Sequence, residues 1–312
     1  MNVRFCVLGS GSKGNATLVL APEAHVLLDA GFAPDELAAR MEGTGASWET
    51  LAAVVLTHTH ADHLKKKCLA LCAEHEVEFI CHEQHARHLA GGRYYNRLHD
   101  KGLLRTFNSE PFEIRARRAR IQHSRHKAQS TQPQATGSQE QGLSVPQADE
   151  AVMRFHPLRV PHDSPPTFGF RIEARCAETQ SVRWVKLAYL SDLGRLDDGL
   201  VRALADVELL ALEFNHDEEM ERNSGRHPLL IERVLGDEGH LSNAQAAEAF
   251  RRVLEHASNG GPRYLVQLHL SQECNDPEVA FKAAREIAFL MGAHTQVFST
   301  RQDKRGTILK LD

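Results

Sequence analysis

Several features that would place this chain in a membrane or outside the cell are missing from its sequence. No apolar run approaches the roughly 20 residues that a membrane-spanning helix needs. The first five residues lead directly into a strand-like segment, without the charged start and long apolar core of a signal peptide. The six cysteines include no Cys-x-x-Cys pair and lie mostly among apolar residues, so no disulfide framework is indicated. We therefore expect a soluble, cytoplasmic protein with no membrane partner.

The sequence also lacks an excess of charge of either sign. With 37 Lys and Arg against 41 Asp and Glu, the formal net charge of −4 predicts no general attraction to nucleic acid or to anionic membranes. The strongest positive cluster covers residues 115–120, and it is either a solvated face or an arm that tracks nucleic acid. Residues 129–147 are rich in Gln, Ser, Thr, Pro and Gly, so we expect a polar, mobile insertion at about 115–150.

A buried strand that ends in a histidine-rich turn is the most specific signal in the chain. The apolar run at residues 51–56 is typical of a buried strand, and the sequence Thr-His-Thr-His-Ala-Asp-His follows it. His58 and His60 project to the same side of an extended backbone, while Asp62 and His63 are expected to open a helix. Three imidazoles and a carboxylate at one point suit a pair of divalent ions such as zinc or manganese. The alternative is a polar helix cap that happens to contain histidines.

Later apolar runs also end in a histidine or a carboxylate. The residues that close or follow these strand-like segments are His162, Asp192, Glu213 and His269. In a layered α/β fold, ligands bind where strand ends meet loops, so these side chains can meet the histidine-rich turn. Taken singly, each could be a turn or cap residue. Together they supply the partners that two metal ions need.

A glycine-rich segment at residues 9–15 invites comparison with a phosphate-binding loop. A Walker loop has its lysine followed by Ser or Thr at the start of a helix, whereas Lys13 here precedes Gly14 and the strand-like run 16–20. The segment is therefore either a wide hairpin connection or a nest of backbone N–H groups that binds an anion beside the metals. Asp29, at the end of the third strand-like run, is either a turn residue or the partner that fixes the tautomer of a metal-bound imidazole.

The His-x-His-x-Asp-His pattern at residues 58–63 resembles the hallmark of the metallo-β-lactamase-fold hydrolase superfamily. More narrowly, six further segments are similar to the YycJ/WalJ branch, namely residues 9–15, 28–31, 161–163, 190–194, 213–217 and 239–243. Members of that branch look like DNA exonucleases and are related to RNase Z and the phosphodiesterase PhnP. The resemblance implies a single domain over residues 1–312 apart from the insertion. It also implies an α/β (α+β) fold, a four-layer αββα sandwich of two mixed β-sheets with helices outside.

The resemblance further implies a set of site residues. One metal would be held by His58, His60 and His162, the other by Asp62, His63 and His269, and Asp192 would bridge the two. His240 inherits the role of a proton-donating histidine with Glu213 as its orienting partner, and Asp62 is counted with these catalytic residues. Four more residues are expected to contact the ligands or the substrate: Ser10, Asn15, Asp29 and His216.

These residues predict a dinuclear-metal-dependent phosphodiesterase with two Zn²⁺ or Mn²⁺ ions. A hydroxide that bridges the ions would attack phosphorus in line with the leaving oxygen. The substrate that we expect is DNA, degraded by a 5′-to-3′ exonuclease. One alternative is a hydrolase of a small ester, thioester or cyclic phosphate on the same metals. The other is a metal-stabilised interaction protein without catalysis.

Overall fold

Two seven-stranded sheets form the frame of the computed structural model, which describes residues 2–116, 151–164, 166–177 and 182–311. The first sheet is antiparallel from β14 to β3 and parallel from β3 to β6, in the order β14-β1-β2-β3-β4-β5-β6. Its strands are β1 (Val3–Gly9), β2 (Ala16–Leu20), β3 (His25–Leu28), β4 (Leu51–Val55), β5 (Glu78–His82), β6 (Leu104–Phe107) and β14 (Leu309–Leu311).

The second sheet has the order β13-β12-β11-β10-β9-β8-β7. It is antiparallel from β7 to β10 and parallel from β10 to β13, so both sheets are mixed, as expected. Its strands are β7 (Phe112–Arg115), β8 (Ala151–Val160), β9 (Thr167–Ala177), β10 (Val182–Leu190), β11 (Leu209–Glu213), β12 (Tyr264–Leu268) and β13 (Gln296–Ser299).

Helices cover the outer face of each sheet. In the first half of the chain they are α1 (Pro34–Met41), α2 (Cys68–Glu74), α3 (Glu83–Leu89) and α4 (Arg93–Asp100). In the second half they are α5 (Asp198–Leu204), α6 (Glu218–Arg222), α7 (Pro228–Leu235), α8 (Asn243–His256) and α9 (Pro277–Leu290). One apolar cluster lies between the sheets, and a separate cluster lies under the helices of each half. These layers form the αββα sandwich that the sequence predicts.

The central strands are buried on both faces. In β4, Ala53 and Val55 pack between the two sheets, whereas Leu51 and Val54 pack against the helices. A strand with two buried faces needs apolar residues at every position, which explains why β4 reads as a continuous apolar run.

The carboxyl ends of several strands meet at one edge of the sandwich, which we call the carboxyl edge. β4 leads into His58, β10 into Asp192 and β12 into His269, while β11 ends at Glu213. β8 ends two residues before His162. Parallel strands place their carboxyl ends on one side of a sheet, so the topology itself gathers these side chains.

The helix expected to open at Asp62 begins only at Cys68. The intervening residues pair with the end of β3. The N–H of Ala30 donates to the carbonyl of His63, and the N–H of Lys65 donates to the carbonyl of Ala30, both at 2.8 Å. This bridge holds the histidine-rich turn against the first sheet. Because the backbone groups of His63 and Lys65 bond to Ala30, they are not available for a helix that opens at Asp62.

The polar insertion expected at about 115–150 lies, from residue 117 onward, outside the described residues, so it and the single-domain assignment stay predictions. Arg115 pairs with Ala151 across β7 and β8. From Ala151, β8 runs ten residues toward His162, about 33 Å at the usual rise per residue. The positive cluster at 115–120 therefore starts at the end of the sheet far from His162.

The cysteines serve as small apolar residues in the described chain. All six are buried, and none is joined in a disulfide, as the lack of a paired motif predicts. Burial raises the pKa of the thiols of Cys68 and Cys81 to about 12, so both stay protonated and inert at neutral pH. Within the described ranges, no helix combines the length and the apolar character that crossing a bilayer requires.

Gly31 lies where the histidine-rich turn comes closest to the first sheet. Its N–H donates to the carbonyl of Asn15 at 2.9 Å. A Cβ at this position would lie 1.7 Å from the carbonyl oxygen of Asp62 and 2.5 Å from the backbone nitrogen of Asn15. Both neighbours are backbone atoms, which cannot rotate away from an added methyl group.

We predict that Gly31→Ala lowers the free energy of unfolding by about 3 kcal/mol or more, because the backbone must shift to accept the methyl group. Urea denaturation followed by circular dichroism measures this loss. Gly199→Ala is the matched control, since the nearest atom to its Cβ is a side-chain oxygen at 3.2 Å, and it should change stability by less than about 1 kcal/mol. A Gly31→Ala protein as stable as the wild type would contradict the prediction.

Candidate metal centre

Three imidazoles converge at the carboxyl edge. The ring centroid of His58 lies 4.6 Å from that of His60 and 5.2 Å from that of His162, and the rings of His60 and His162 are 5.3 Å apart. One nitrogen of each ring lies within 4.8 Å of the other two. The Nε2 atoms of His58 and His162 are buried and have no hydrogen-bond partner among the described residues. Buried nitrogens without partners, at this spacing, fit a shared divalent cation. We call these side chains the three-histidine group.

Asp29 supports the neighbouring ring of His63. The carboxylate is fully buried and accepts hydrogen bonds from the backbone N–H of Thr57 at 2.9 Å, from the Thr57 hydroxyl at 2.9 Å and from Nδ1 of His63 at 2.8 Å. The Thr57 hydroxyl also lies 3.1 Å from Nδ1 of His58. Since Nδ1 of His63 is held by Asp29, its Nε2 is left to face a metal. Of the two interpretations of Asp29, this geometry favours the imidazole partner.

Asp192 lies between His63 and His269. Its Oδ2 is 2.9 Å from Nε2 of His63, and its Oδ1 is 3.0 Å from Nδ1 of His269. The Ser191 hydroxyl donates to Oδ2 at 2.6 Å. The Oδ2 atom of Asp62 lies 3.6 Å from Nε2 of His63 and 3.8 Å from Nε2 of His269. All seven side chains expected to hold metals are therefore together at the carboxyl edge.

The backbone is strained at two of these seven positions, Asp192 and His269, and at the supporting residue Asp29. Asp29, Asp192 and His269 have φ angles of 59°, 60° and 54°, a left-handed conformation that is uncommon for residues with a Cβ. Each follows the end of a strand, where the sharp change of direction aims the side chain into the carboxyl edge. Strain of this kind costs on the order of 1–3 kcal/mol per residue and gathers at functional sites.

Glu213 joins His240 to His269. Its Oε1 accepts from Nδ1 of His240 at 2.9 Å and from Nδ1 of His269 at 2.8 Å, while its Oε2 accepts from the N–H groups of Leu193 and Leu241 at 3.0 and 3.1 Å. Burial alone would raise the pKa of Glu213, but the two imidazoles outweigh it and lower the pKa to about 2. The carboxylate therefore stays ionised and holds Nδ1 of His240, so that Nε2 is the nitrogen that can exchange a proton.

The glycine-rich segment supports the ligands. Nδ2 of Asn15 lies 2.9 Å from Nε2 of His63, and the Ser10 hydroxyl donates to Oδ1 of Asn15 at 2.8 Å. The same hydroxyl accepts the N–H of His269 at 2.8 Å. The backbone N–H groups of residues 10, 11, 13, 14 and 15 all donate to acceptors within the protein. The anion-binding nest is therefore wrong, because these donors already bond to acceptors within the segment or to Asp62, Arg301 and Gln302.

His216 was expected to contact the ligands or the substrate, and this role stays a prediction. The residue is fully buried, and its backbone pairs with that of Ser242. Neither ring nitrogen has a hydrogen-bond partner in the described part of the chain. The ring thus forms no hydrogen bond to any of the candidate metal ligands.

A family model described as a beta-lactamase superfamily domain matches residues 24–259. The chain belongs to the beta-lactamase superfamily. A curated relative, exodeoxyribonuclease YycJ of Bacillus anthracis, is 24% identical over 295 residues, which cover 92% of this chain and 89% of the relative. Exodeoxyribonuclease WalJ of Streptococcus pneumoniae serotype 2 is 23% identical over 281 residues, 89% of this chain and 85% of that protein. The solved structure of the metallo-beta-lactamase fold protein YhfI from Bacillus subtilis superposes with a TM-score of 0.61, at 15% identity and with 100% of both chains covered.

Membership of the beta-lactamase superfamily confirms the predicted fold, and the curated relatives come from the branch that the motifs resemble. The protein is a metal-dependent hydrolase, and its His/Asp cluster is suited to divalent ions.

The sequence patterns did not identify two residues that contact the site. Thr57 links Asp29 to two imidazoles, and Oδ1 of Asp163 lies 3.3 Å from Nε2 of His162. Their only signal was adjacency to a candidate ligand in sequence.

We predict that metal binding to this superfamily member releases protons and weakens as the pH falls. Burial lowers the pKa of His63, but the carboxylates of Asp192 and Asp29 outweigh it and raise the pKa well above its ordinary value. Burial also lowers the pKa of His269, but the carboxylates of Asp192 and Glu213 have the larger effect and raise it to about 10. Both rings are therefore protonated in the metal-free protein at pH 7, whereas a metal binds the neutral imidazole.

Calorimetric titration with Zn²⁺ or Mn²⁺, in buffers that differ in protonation enthalpy, counts the released protons. We expect about one to two protons per protein at pH 7, and an affinity that is lower at pH 6 than at pH 8. Identical heats in all buffers would contradict the prediction.

Proposed function

We propose that this protein is a dinuclear-metal-dependent phosphodiesterase that degrades DNA as a 5′-to-3′ exonuclease. The observation that carries the proposal is the position of Asp192. It lies in one candidate metal group with His58, a proposed ligand of the first ion, and His63, a proposed ligand of the second, and its Oδ1 lies 3.0 Å from Nδ1 of His269. A carboxylate placed between these ligands suits two ions about 3.5–4 Å apart, the arrangement used for in-line cleavage of phosphodiesters. Two curated relatives that cover most of the chain are named exodeoxyribonucleases, which supports DNA as the substrate.

The proposed ligands divide between the two ions. One ion would be held by His58, His60 and His162, the other would be held by Asp62, His63 and His269, and Asp192 would contribute to both sites. The Nε2 atom of His269, like those of His58 and His162, is buried without a hydrogen-bond partner among the described residues. Imidazole and carboxylate ligands suit Zn²⁺ or Mn²⁺. When bound, the ions supply an activated water and offset the negative charge of the phosphate.

His240 is the proposed proton donor. Glu213 orients its ring through Nδ1, and 18% of the His240 side chain is exposed, compared with 3% for His269. A leaving oxygen of the substrate can therefore reach His240, and protonation of that oxygen is the usual task of a histidine in this position. Asp62 lies 3.4 Å from Nδ2 of Asn15, and we propose that it orients the attacking water in addition to binding metal.

Arginines beside His162 provide positive charge for the DNA backbone. A cavity of about 300 Å³ adjoins His162, and Arg159 and Arg195 contribute to its lining. Both side chains are exposed, and a guanidinium group can bind two oxygens of one phosphate. The positive cluster at 115–120 begins at the far end of β8, so the phosphates nearest the metals would be bound by the arginines.

We predict that the protein, loaded with Mn²⁺ or Zn²⁺, shortens linear duplex DNA from its 5′ ends. A 5′ label should be released at once as a small product, whereas a 3′-labelled strand should give a ladder that shortens with time. The rate should fall steeply with salt, because phosphate contacts release counterions. Covalently closed circular DNA is the control and should stay intact. Internal cuts would contradict the exonuclease. Salt-independent turnover of small esters alone would indicate the small-substrate hydrolase.

We predict that His240→Ala slows DNA cleavage by about 100-fold or more while the metal content stays unchanged, because a proton donor is lost and no ligand is removed. Single-turnover rates and metal analysis by mass spectrometry measure the two quantities. His99→Ala, which removes an exposed histidine of α4, is the matched control and should behave as the wild type. Full activity of His240→Ala, or loss of metal from it, would reject the assignment.

A further inference from the structure

A carboxylate that the ligand assignment does not use lies against the three-histidine group. Asp163 directly follows His162 in the chain. Its Oδ1 atom lies 3.3 Å from Nε2 of His162 and 3.8 Å from Nε2 of His60. Asp163 Oδ1 and His162 Nε2 are both buried, yet neither makes a hydrogen bond to any described residue. An oxygen and two nitrogens that approach each other without a hydrogen bond are arranged as atoms that share a cation.

Arg233 holds the other oxygen of this carboxylate. Its Nε–H, on α7, donates to Oδ2 of Asp163, and this bond leaves Oδ1 directed at the imidazoles. The ion pair with Arg233 therefore fixes the direction of the carboxylate, so that Oδ1 faces the same space as the imidazole nitrogens.

The α7 helix is itself fixed to the site. The N–H of His240 donates to the carbonyl of Val234 at 2.9 Å, and the carbonyl of Gly239 lies 3.2 Å from Nδ1 of His162. A Cβ on Gly239 would lie 2.2 Å from the carbonyl oxygen of Arg233, so only glycine permits this close approach. Backbone contacts thus set the distance between Arg233 and the three-histidine group.

An ion pair with Arg233 at the surface does not explain why Oδ1 of Asp163 is buried without a hydrogen-bond partner. Exposed pairs of Arg and Asp contribute little to stability, and water solvates both of their carboxylate oxygens. Here Oδ1 is buried, and a charged oxygen that is buried without a partner is costly. A cation within the three-histidine group would give Oδ1 the partner that it lacks.

We propose that Asp163 is a fifth protein ligand of the ion assigned to His58, His60, His162 and the shared Asp192, with Arg233 as the positioning residue that aims it. The proposal rests on the dinuclear centre of the proposed function. With the shared Asp192, this ion would have more protein ligands than the four of a closed tetrahedral zinc site. Added carboxylate oxygen and higher coordination number favour Mn²⁺ over Zn²⁺ at this position.

Cobalt substitution tests the proposal without any substrate. Metal-free protein is titrated with Co²⁺, whose visible absorption reports its coordination number, for the wild type and for Asp163→Ala, Asp163→Asn and Arg233→Gln. Asp237→Ala is the matched control. Asp237 lines the same surface cavity as Asp163 and Arg233, but its exposed carboxylate pairs with Arg195 at 3.9 Å.

We expect Asp163→Ala to weaken one of the two Co²⁺ sites by about 10-fold or more and to give the stronger absorption bands of a lower coordination number. Asp163→Asn and Arg233→Gln should show smaller effects on the same site, and Asp237→Ala should change neither quantity. Asp163→Asn keeps the shape of the side chain and serves if the alanine variant unfolds. A spectrum that is unchanged in both Asp163 variants, whatever their affinity, would overturn the proposal.

The outcome is separable from that of the proposed function. A shifted cobalt spectrum in a protein that cleaves no DNA would leave Asp163 as a ligand and reject the nuclease. DNA cleavage by a protein whose cobalt spectrum does not respond to Asp163 would reject the ligand and leave the nuclease.

Discussion

The charge on two buried carboxylates is the constraint on which the site depends. Asp192 and Glu213 are almost completely inaccessible to solvent, and burial alone would drive both to the neutral acid. Imidazoles prevent this. His269 contacts both carboxylates, His63 contacts Asp192, and His240 contacts Glu213. These imidazoles lower the pKa values of both carboxylates below their ordinary range. Neither carboxylate can be buried as an anion until β10, β11 and β12 bring both of them beside His269, and until the turn after β4 and the segment before α8 supply His63 and His240. The folding of the second sheet and the ionisation of these two carboxylates therefore depend on each other.

Much of the fold was predictable because its central strands and helices have strong local patterns. β4, β11 and β12 are buried on both faces and read as apolar runs. The short strand β7 was not recognised, because residues such as Glu113 and Arg115 are exposed and the strand forms only by pairing with β8. The helix start at Asp62 was wrong for a related reason. A partner distant in sequence, Ala30, takes the backbone groups that a helix would use.

The candidate ligands were predictable because parallel topology carries residues at strand ends to one edge, whatever the details of packing. The orientation of individual side chains was not predictable from the sequence. Asp163 and Thr57 take part because of the direction in which their side chains point, and sequence patterns do not report that direction. The nest at residues 9–15 failed because Gln302 and the carbonyl of Arg301 occupy two of its donors. The role of His216 stays a prediction, since its buried ring nitrogens have no hydrogen-bond partner among the described residues.

The first strand of the chain pairs with the last. Val3 lies opposite Leu311 across β1 and β14, and residues 301 and 302 hold the glycine-rich segment that positions Asn15 and Ser10. During translation, the histidine-rich turn leaves the ribosome long before these supports exist. The nascent chain must therefore carry an incomplete cage of imidazoles and an open edge at β1, the state in which chains mispair and chaperones act. The supports of the carboxyl edge are therefore complete only after residues 301 and 302 have been synthesised and have reached the glycine-rich segment.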